Sequence, residues 1–196
     1  MPSSPVLKFT PLDIPEVILV EPAIFGDNRG FFLETYNIEK YLAGGISEKF
    51  IQDNMSLSIK GTIRGLHVQT TKPQGKLVRV VSGEVLDVAV DVRLNSPTFG
   101  SWVGAILSSE NHHQLYVPPG FAHGFEVRSN EAIVEYKVSA PYDPSSDISI
   151  DWNDPDLNIE WGCKRPIISP KDAAALSFTT ARPHLEKLAE HLCWVG

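Results

Sequence analysis

Apolar and polar residues alternate in short runs along most of the chain, from about residue 15 to residue 152. Such alternation, in segments rich in β-branched and aromatic residues, is typical of strands that bury one face. Gly, Pro, Asn and Asp separate the runs, as expected for turns. About ten short strands are predicted in this way, which favours an all-β jelly-roll barrel. The runs are VILVEP, GFFLETY, NMSLSI, GTIRGLHVQ, KLVRVVSGEVLDVAVDVRL, SWVGAILS, HQLYVPP, HGFEV and AIVEYKVSAPY.

Turns and helices are predicted at a few places only. Ser82-Gly83 in VSGEVLDVAVDV predicts a hairpin turn with a strand on each side. NIEKYLAGG predicts a short helix with Asn37 as its N-cap and Gly44 past its end. PHLEKLAEHL spaces apolar residues along one helical face, which we expect to pack on the barrel or on a partner. These residues are Leu185, Leu188, Ala189 and Leu192.

Length and composition indicate one globular domain over residues 1–196. Its barrel core spans about 15–152, followed by an irregular or helical part over 153–196, of which 153–183 is expected to be mostly irregular.

The net charge of −7 argues against a nucleic-acid partner but allows a small anionic ligand bound by local cations. No apolar run is long enough for a membrane span and the N-terminus lacks signal-peptide features, so we expect a cytoplasmic protein. Cys163 and Cys193 are expected to be free thiols.

Two of the six histidines lie beside glycine in strand-rich segments, namely His67 in RGLHVQ and His123 in PPGFAHGF. PPGFAHGF matches half of the metal-cupin pattern. The other half requires a second histidine and a glutamate, but Gln69 follows His67 and no glutamate precedes Lys76. Two histidines fall short of the three protein ligands of a usual catalytic metal site. We therefore predict no metal and no other cofactor.

The strand GTIRGLHVQ combines an arginine, a glycine and a histidine. Regular alternation would place His67 and Gly65 on one face and Arg64 on the other. Arg64 and His67 can share a pocket only if the strand is kinked, and a bulge is least costly at Gly65.

Further polar residues could complete a small-molecule site. Lys76 enters an apolar strand, so its ammonium is expected to be partly enclosed, while Tyr136 and Tyr142 offer phenols. A base, a cation and a phenol suit proton abstraction beside a carbonyl and stabilisation of the enolate. Each residue also has a structural interpretation: Lys76 as a strand lysine at the surface, Tyr136 as a packed aromatic and Asp172 as a helix N-cap.

From about Val17 to Asp172 the sequence resembles the dTDP-4-dehydrorhamnose 3,5-epimerase family of metal-free cupin-fold enzymes. The resemblance rests on several ordered motifs. They are GDNRGFFLETY, QDNMSLSIKGTIRGLHVQ, QGKLVRVVSGEVLDVAVDVRLNSPTFG, VPPGFAHGFEV, YKVSAPYDPSSDISIDWNDPDLNIEW and ISPKDAA.

The resemblance implies a role for each matching residue. His67 would be the general base, oriented by Asp172; Tyr136 would be the general acid on the opposite face of the sugar. Lys76 would stabilise the enolate formed beside the C4 ketone. Tyr142 would stack on thymine, and His123 would line the sugar pocket. The remaining substrate contacts would come from Arg29, Phe32, Glu34, Gln52, Asp53, Asn54, Arg64, Asp147 and Lys171.

The implied substrate is dTDP-4-dehydro-6-deoxy-D-glucose, inverted at C3 and C5 to dTDP-4-dehydro-L-rhamnose. The implied assembly is a homodimer that exchanges the N-terminal strand region containing Arg29, Phe32 and Glu34. The sequence departs from the family pattern at Asp147, where glutamate is usual, at Val68, where an aromatic is common, and after about Leu176.

Four alternatives stay open at this point. The first is a mono-epimerase acting at C3 or C5 only. The second is an isomerase that moves the ketone between C4 and C3. The others are a non-catalytic sugar-nucleotide binder and a metal-dependent cupin oxygenase.

Overall fold

The computed structural model describes residues 5–192, and its strands form two facing antiparallel sheets. In chain order the strands are β1 (Lys8–Pro11), β2 (Ile18–Glu21), β3 (Ile24–Asp27), β4 (Gly30–Leu33), β5 (Gln52–Ile59), β6 (Ile63–Gln69), β7 (Lys76–Ser82), β8 (Glu84–Asp91), β9 (Trp102–Ser108), β10 (Gln114–Val117), β11 (Phe121–Val127), β12 (Glu131–Val138) and β13 (Asp147–Ser149). One sheet has the order β1-β2-β10-β7-β12-β5 and the other has the order β13-β6-β11-β8-β9. The predicted jelly-roll barrel is confirmed.

A third, two-stranded ribbon is formed by β3 and β4 alone. Its phenylalanines lie largely at the surface, where Phe25, Phe31 and Phe32 are 52%, 60% and 69% exposed. Residues of this size are usually buried, so the ribbon presents an apolar surface that the other residues of 5–192 leave open.

The main core fills the space between the two sheets. Alternation along β8 shows how it is built, because Val85 and Ala89 face this core whereas Leu86, Val88 and Val90 face the outer side of the sheet. Strands β7, β10 and β12 contribute inward-facing valines and a leucine from the opposite sheet. Alternate residues of β8 therefore pack into two different cores, one on each face of the sheet, and the strand is buried on both faces.

The first helix, α1 (Ile38–Ala43), begins as predicted at Asn37. The Asn37 side chain accepts hydrogen bonds from the backbone N–H groups of Glu39 and Lys40, which the first helical turn would otherwise leave without acceptors. Tyr41 of this helix is 1% exposed and packs in a cluster on the outer side of the six-stranded sheet.

The C-terminal part is more helical than the sequence predicts. Helix α2 (Pro170–Ala173) and the first turns of α3 (Phe178–Leu192) lie inside the segment expected to be irregular. The Asp154 carboxylate accepts the backbone N–H of Phe178 at 2.7 Å, which stabilises the helix start before Pro183. As predicted, Leu185 and Leu188 are fully buried against the barrel.

The predicted hairpin at Ser82-Gly83 is wrong. Strands β7 and β8 lie in different sheets, so the dipeptide is the corner at which the chain crosses between them. Gly83 has φ +82° and a side chain there would collide with the carbonyl oxygen of Glu131. Only glycine fits this corner, because φ is positive and there is no room for a side chain. A tight hairpin turn also requires glycine at positive φ, so the two cannot be distinguished from the local sequence.

Two smaller expectations concern the cysteines and membrane insertion. Cys163 is a free thiol, as predicted, while Cys193 lies outside the described residues. Within residues 5–192 no helix is both long and apolar enough to cross a membrane.

Candidate active site

At one end of the barrel, polar side chains replace apolar ones between the sheets and surround a cavity of about 330 Å³. Lys76 and Tyr136 extend into it from the six-stranded sheet, and His67 and His123 from the five-stranded sheet. The full lining is Ser56, Arg64, His67, Gln69, Gln74, Lys76, His123, Phe125, Tyr136, Tyr142, Asp147, Ser169, Lys171 and Asp172.

The predicted bulge in β6 is present at Gly65. Across β11, His123 is paired with His67 and Phe125 with Arg64, so β6 has one extra residue between the two pairs. Gly65 has φ +111°, and a Cβ atom there would lie 2.5 Å from the carbonyl oxygen of His123. Only glycine fits this backbone, and the resulting change of register brings Arg64 and His67 into the same cavity.

His67 is held by a buried carboxylate. Its Nε2 lies 2.6 Å from Oδ1 of Asp172, and the Asp172 side chain is 3% exposed. Asp172 is the third residue of α2, whose N-cap is Ser169; the Ser169 hydroxyl donates to Oδ2 of Asp172 at 2.8 Å. Burial raises the pKa of Asp172, but hydrogen bonds with His67 and Ser169 hold it below its ordinary value. The pair leaves Nδ1 of His67 as the nitrogen available to a ligand.

Lys76 is a buried cation, as its position at the start of an apolar strand predicts. Its residue exposure is 8%, and its Nζ lies 3.5 Å from the carbonyl oxygen of His67. Burial lowers the pKa of Lys76 to about 8, although the carboxylates of Asp147 and Asp87 favour the ammonium form. An ammonium that is poorly compensated in the free protein interacts strongly with a negative charge that develops nearby.

Tyr136 lies on β12, next to β7, and therefore approaches the cavity from the sheet opposite His67. Burial raises the pKa of its phenol, the nearby Asp147 carboxylate raises it further, and Arg64 lowers it. The net effect keeps the hydroxyl protonated in neutral solution, as a proton donor requires.

His123 has a partner that the sequence reasoning missed. Its Nε2 lies 2.9 Å and 3.0 Å from the two carboxylate oxygens of Asp87, which is fully buried. Asp87 occupies an inward-facing position of β8, between Val85 and Ala89. An acidic residue at a core position of an apolar strand is a signal that could have identified it.

The structure brings together nine of the residues predicted from the resemblance to lie in the site. His67, Lys76, Tyr136, Asp172, Arg64, His123, Tyr142, Asp147 and Lys171 all line the cavity. Asp147 and Lys171, each expected to contact substrate, form an ion pair with each other across the cavity wall. A substrate that engages either side chain must therefore share or replace this pair.

Six other predicted residues do not line the cavity of this chain. Arg29 pairs with Asp27 at the tip of the ribbon, and Glu34 pairs with Lys40. On β5, Gln52 donates to Asn54 at 2.8 Å, and Asp53 pairs with Lys137 at 2.9 Å. Phe32 lies on the exposed surface of the ribbon.

The sequence reasoning also missed cavity residues that carry no charge. Ser56, Gln69, Gln74, Phe125 and Ser169 line the cavity without having been assigned a role. Ser169 could have been found from the order Ser-Pro-Lys-Asp, which is typical of a helix start with proline at its first position. The others depend on which loops and strands meet in space, which local patterns do not report.

The arrangement suits proton transfer at a carbon held between the two sheets. A histidine–carboxylate pair lies on one wall, a protonated phenol lies on the other, and a buried ammonium reaches between them. Among residues 5–192, no group of three or more His, Cys, Asp or Glu side chains is placed to hold a metal ion.

The fold and this cavity define a cupin-type protein of the sugar-nucleotide epimerase class. The family model described as dTDP-4-dehydrorhamnose 3,5-epimerase matches residues 11–180, and the chain belongs to that family.

Individual relatives agree with this assignment. A dTDP-4-dehydrorhamnose 3,5-epimerase of Pseudomonas aeruginosa is 50% identical over 177 residues, which are 89% of this chain and 98% of the relative. The crystal structure of a dTDP-6-deoxy-D-glucose-3,5-epimerase from Legionella pneumophila, in complex with dTDP-4-keto-L-rhamnose, superposes with a TM-score of 0.89 at 48% identity, covering 92% and 97% of the two chains. A 3'-monoepimerase from Streptomyces bikiniensis, in complex with dTDP-quinovose, superposes with a TM-score of 0.83 at 31% identity, covering 93% and 98%.

The bulge at Gly65 generates a prediction about stability. Gly65→Ala should lower the free energy of unfolding by roughly 2–4 kcal/mol, because the added methyl group meets backbone atoms at a left-handed φ. Urea denaturation measures this change. Gly26→Ala is the control, since a Cβ there meets only the Gly30 carbonyl oxygen at 3.8 Å and should cost little. Equal stability of the two variants would show that β6 can be built without the close approach to β11.

Proposed function

We propose that this chain is a dTDP-4-dehydrorhamnose 3,5-epimerase that inverts C3 and C5 of dTDP-4-dehydro-6-deoxy-D-glucose. The observation that carries the proposal is the placement of His67 with Asp172 on one wall of the cavity and of Tyr136 on the facing wall. Epimerisation removes a proton from one face of a carbon and delivers another to the opposite face. Two groups on facing sheets satisfy this requirement for a ring bound between them.

In the first step, His67 would take the proton from a carbon next to the C4 ketone. The electron pair of the C–H bond moves toward the ketone oxygen and forms an enolate. Asp172 orients the imidazole and stabilises its cationic form, because the carboxylate is buried and keeps its charge.

The enolate oxygen would be stabilised by Lys76. Its ammonium lies inside the barrel, where screening by water is weak, so a new negative charge beside it is strongly favoured. In the second step, Tyr136 would donate its hydroxyl proton to the carbon from the other face. The phenolate and the imidazolium then exchange protons with solvent before the next inversion.

The nucleotide would lie toward the mouth of the cavity. Arg64 and Lys171 offer positive charge to the diphosphate, and Tyr142, which is 56% exposed, offers a ring to stack on thymine. His123 and Asp147 would contact the sugar, with the shorter side chain of Asp147 already engaged by Lys171.

We also propose that the remaining contacts are shared within a homodimer. Arg29, Phe32 and Glu34 lie on or just after the β3–β4 ribbon, outside the cavity of their own chain. Strand β5 at the edge of its sheet presents Met55, Leu57 and Ile59 outward, 57–72% exposed. An exposed apolar ribbon and an exposed apolar edge strand on one chain can cover each other in a two-fold dimer. Gln52, Asp53 and Asn54 of β5 would then lie where the ribbon of the second copy meets the substrate.

Inversion at a single carbon would use the same residues, and the 3'-monoepimerase shares the fold. Double inversion is favoured because relatives named for both carbons are 50% and 48% identical, against 31% for the monoepimerase.

Tyr136→Phe separates proton removal from inversion. The substitution deletes one oxygen, so His67 should still form the enolate and exchange the substrate proton for deuterium in deuterated water. Inversion should fall by roughly 10²–10⁴-fold, the usual contribution of a positioned acid. Proton NMR of the sugar measures both rates in one sample. Inversion at the wild-type rate would transfer the role of acid from Tyr136 to another donor.

The pKa of Lys76 predicts the alkaline limit of activity. The ammonium is the protonated form, so it is present below pH 8 and is lost as the pH rises through about 8. The value of kcat/KM, which reports groups of the free enzyme, should therefore fall about tenfold per pH unit above that point, while Tyr136, with its raised pKa, stays protonated. A pH profile of kcat/KM measures this alkaline limb. Lys76→Met should be slow at every pH and lack the limb; a variant that retains it would assign the titration to a different group.

Mixing two inactive variants tests the shared site. Arg29→Ala and His67→Ala should each be inactive alone. In a mixed dimer with exchanged ribbons, the site with an intact His67 receives an intact Arg29 from the other chain. Co-refolded in equal amounts, the variants should recover roughly a quarter of wild-type activity, since half of the dimers are mixed and each has one complete site. No recovery, in a preparation that light scattering shows to be dimeric, would contradict ribbon exchange.

A further inference from the structure

Two loops form the wall of the cavity on the side of Tyr142. One connects β6 to β7 over residues 70–75, and the other connects β12 to β13 over residues 139–146. Hydrogen bonds join them along their length. Thr70 donates from its backbone N–H and its hydroxyl to the carbonyl oxygen of Ser146 at 2.9 Å and 3.1 Å, and Gln74 donates to that of Ala140 at 2.8 Å.

Gln69 lies at the centre of this pair of loops. It is 3% exposed, lines the cavity, and uses both ends of its amide. Its Nε2 donates to the carbonyl oxygens of Lys72 at 2.8 Å and Pro141 at 3.2 Å, and its Oε1 accepts the backbone N–H of Asp143 at 2.8 Å. Pro141 and Asp143 are the two neighbours of Tyr142, so one buried amide fixes the backbone on both sides of that residue.

We propose that Gln69 is a positioning residue for nucleotide recognition, which acts by holding Tyr142 in the orientation that receives the base. The inference rests on the proposed role of Tyr142 as the stacking partner of thymine. Tyr142 itself is more than half exposed, so packing alone does little to orient its ring. A backbone held at both flanking residues removes much of the freedom that binding would otherwise have to restrict.

Gln69 stands two places after His67, where the metal-cupin pattern has its second histidine. Here the side chain at that place turns to the two loops and satisfies three backbone groups. Methionine has a similar length but neither donates nor accepts strongly, so Gln69→Met removes all three bonds while nearly conserving volume.

The first measurement compares two ligands by calorimetric titration. Gln69→Met should bind dTDP about tenfold more weakly than the wild type, because the loop around Tyr142 must be ordered on binding. Inorganic pyrophosphate, which has no base to stack, should bind within about twofold of the wild type. An equal loss for both ligands would indicate general damage to the cavity and would overturn the proposal. If Gln69→Met does not fold, Gln69→Asn is titrated in its place, because it keeps a neutral amide but is one methylene too short to reach all three backbone groups.

A double-mutant cycle identifies the residue through which Gln69 acts. Tyr142→Ala should weaken dTDP binding, and Gln69→Met/Tyr142→Ala should bind no more weakly than Tyr142→Ala alone, because there is no ring left to position. Additive losses would show that Gln69 does not act through Tyr142. If Gln69→Met has no effect while Tyr142→Ala does, the proposal for Gln69 fails and the stacking role stands. If Tyr142→Ala has no effect, both fail, while the epimerase reaction is still tested by Tyr136→Phe.

Gln114→Met provides a matched control. Gln114 is also buried, donating to the carbonyl oxygen of Thr35 at 2.9 Å and accepting from the Tyr41 hydroxyl at 3.0 Å, and it does not line the cavity. Its loss should lower thermal stability to a similar extent but leave the dTDP affinity unchanged. A loss of dTDP affinity equal to that of Gln69→Met would mean that any destabilised barrel binds poorly, and would overturn the proposal.

Discussion

The spacing between the two facing sheets determines which side chains fill the barrel and where a ligand can bind between its walls. Facing sheets pack about 10 Å apart, and side chains must fill the gap. Over most of the barrel they are valine, leucine and phenylalanine. At one end the gap stays open as a cavity of about 330 Å³, with His67 on one wall and Tyr136 on the other. The fold thus places His67 and Tyr136 on opposite walls of one cavity, which is the arrangement that our proposed base and acid require.

Within residues 5–192, some buried charges inside the barrel have a partner of opposite charge and one does not, and this difference suits the proposed stabilisation of an enolate. A buried charge opposes folding unless it is paired. Asp172 has His67 and Ser169 as partners, and Asp87 has His123. The Lys76 ammonium, in contrast, has no carboxylate within hydrogen-bonding distance among the described residues, and burial lowers its pKa to about 8. In our proposal the enolate is the partner that Lys76 lacks in the free protein.

Local physics makes much of this structure predictable from the sequence. Strand alternation, the Asn37 cap and the bulge at Gly65 depend on a few neighbouring residues, and all three are present. The hairpin at Ser82-Gly83 is wrong because the same dipeptide suits a tight turn and a crossing between sheets, and only long-range pairing distinguishes them. The hydrogen-bonding role of Gln69 is not predictable from the sequence for a similar reason, because its partners belong to loops that meet only in the folded barrel. The family resemblance supplies residue roles that spacing alone leaves open.

The central claim is that one histidine and one tyrosine on facing walls invert both carbons next to the ketone. Its most direct test is incubation of the wild-type protein with dTDP-4-keto-6-deoxyglucose in deuterated water, followed by proton NMR of the sugar. The account predicts deuterium at both C3 and C5 and a product with inverted configuration at both carbons. Deuterium at one carbon alone would contradict the double inversion, and the absence of exchange at either carbon would contradict the epimerase mechanism for this substrate.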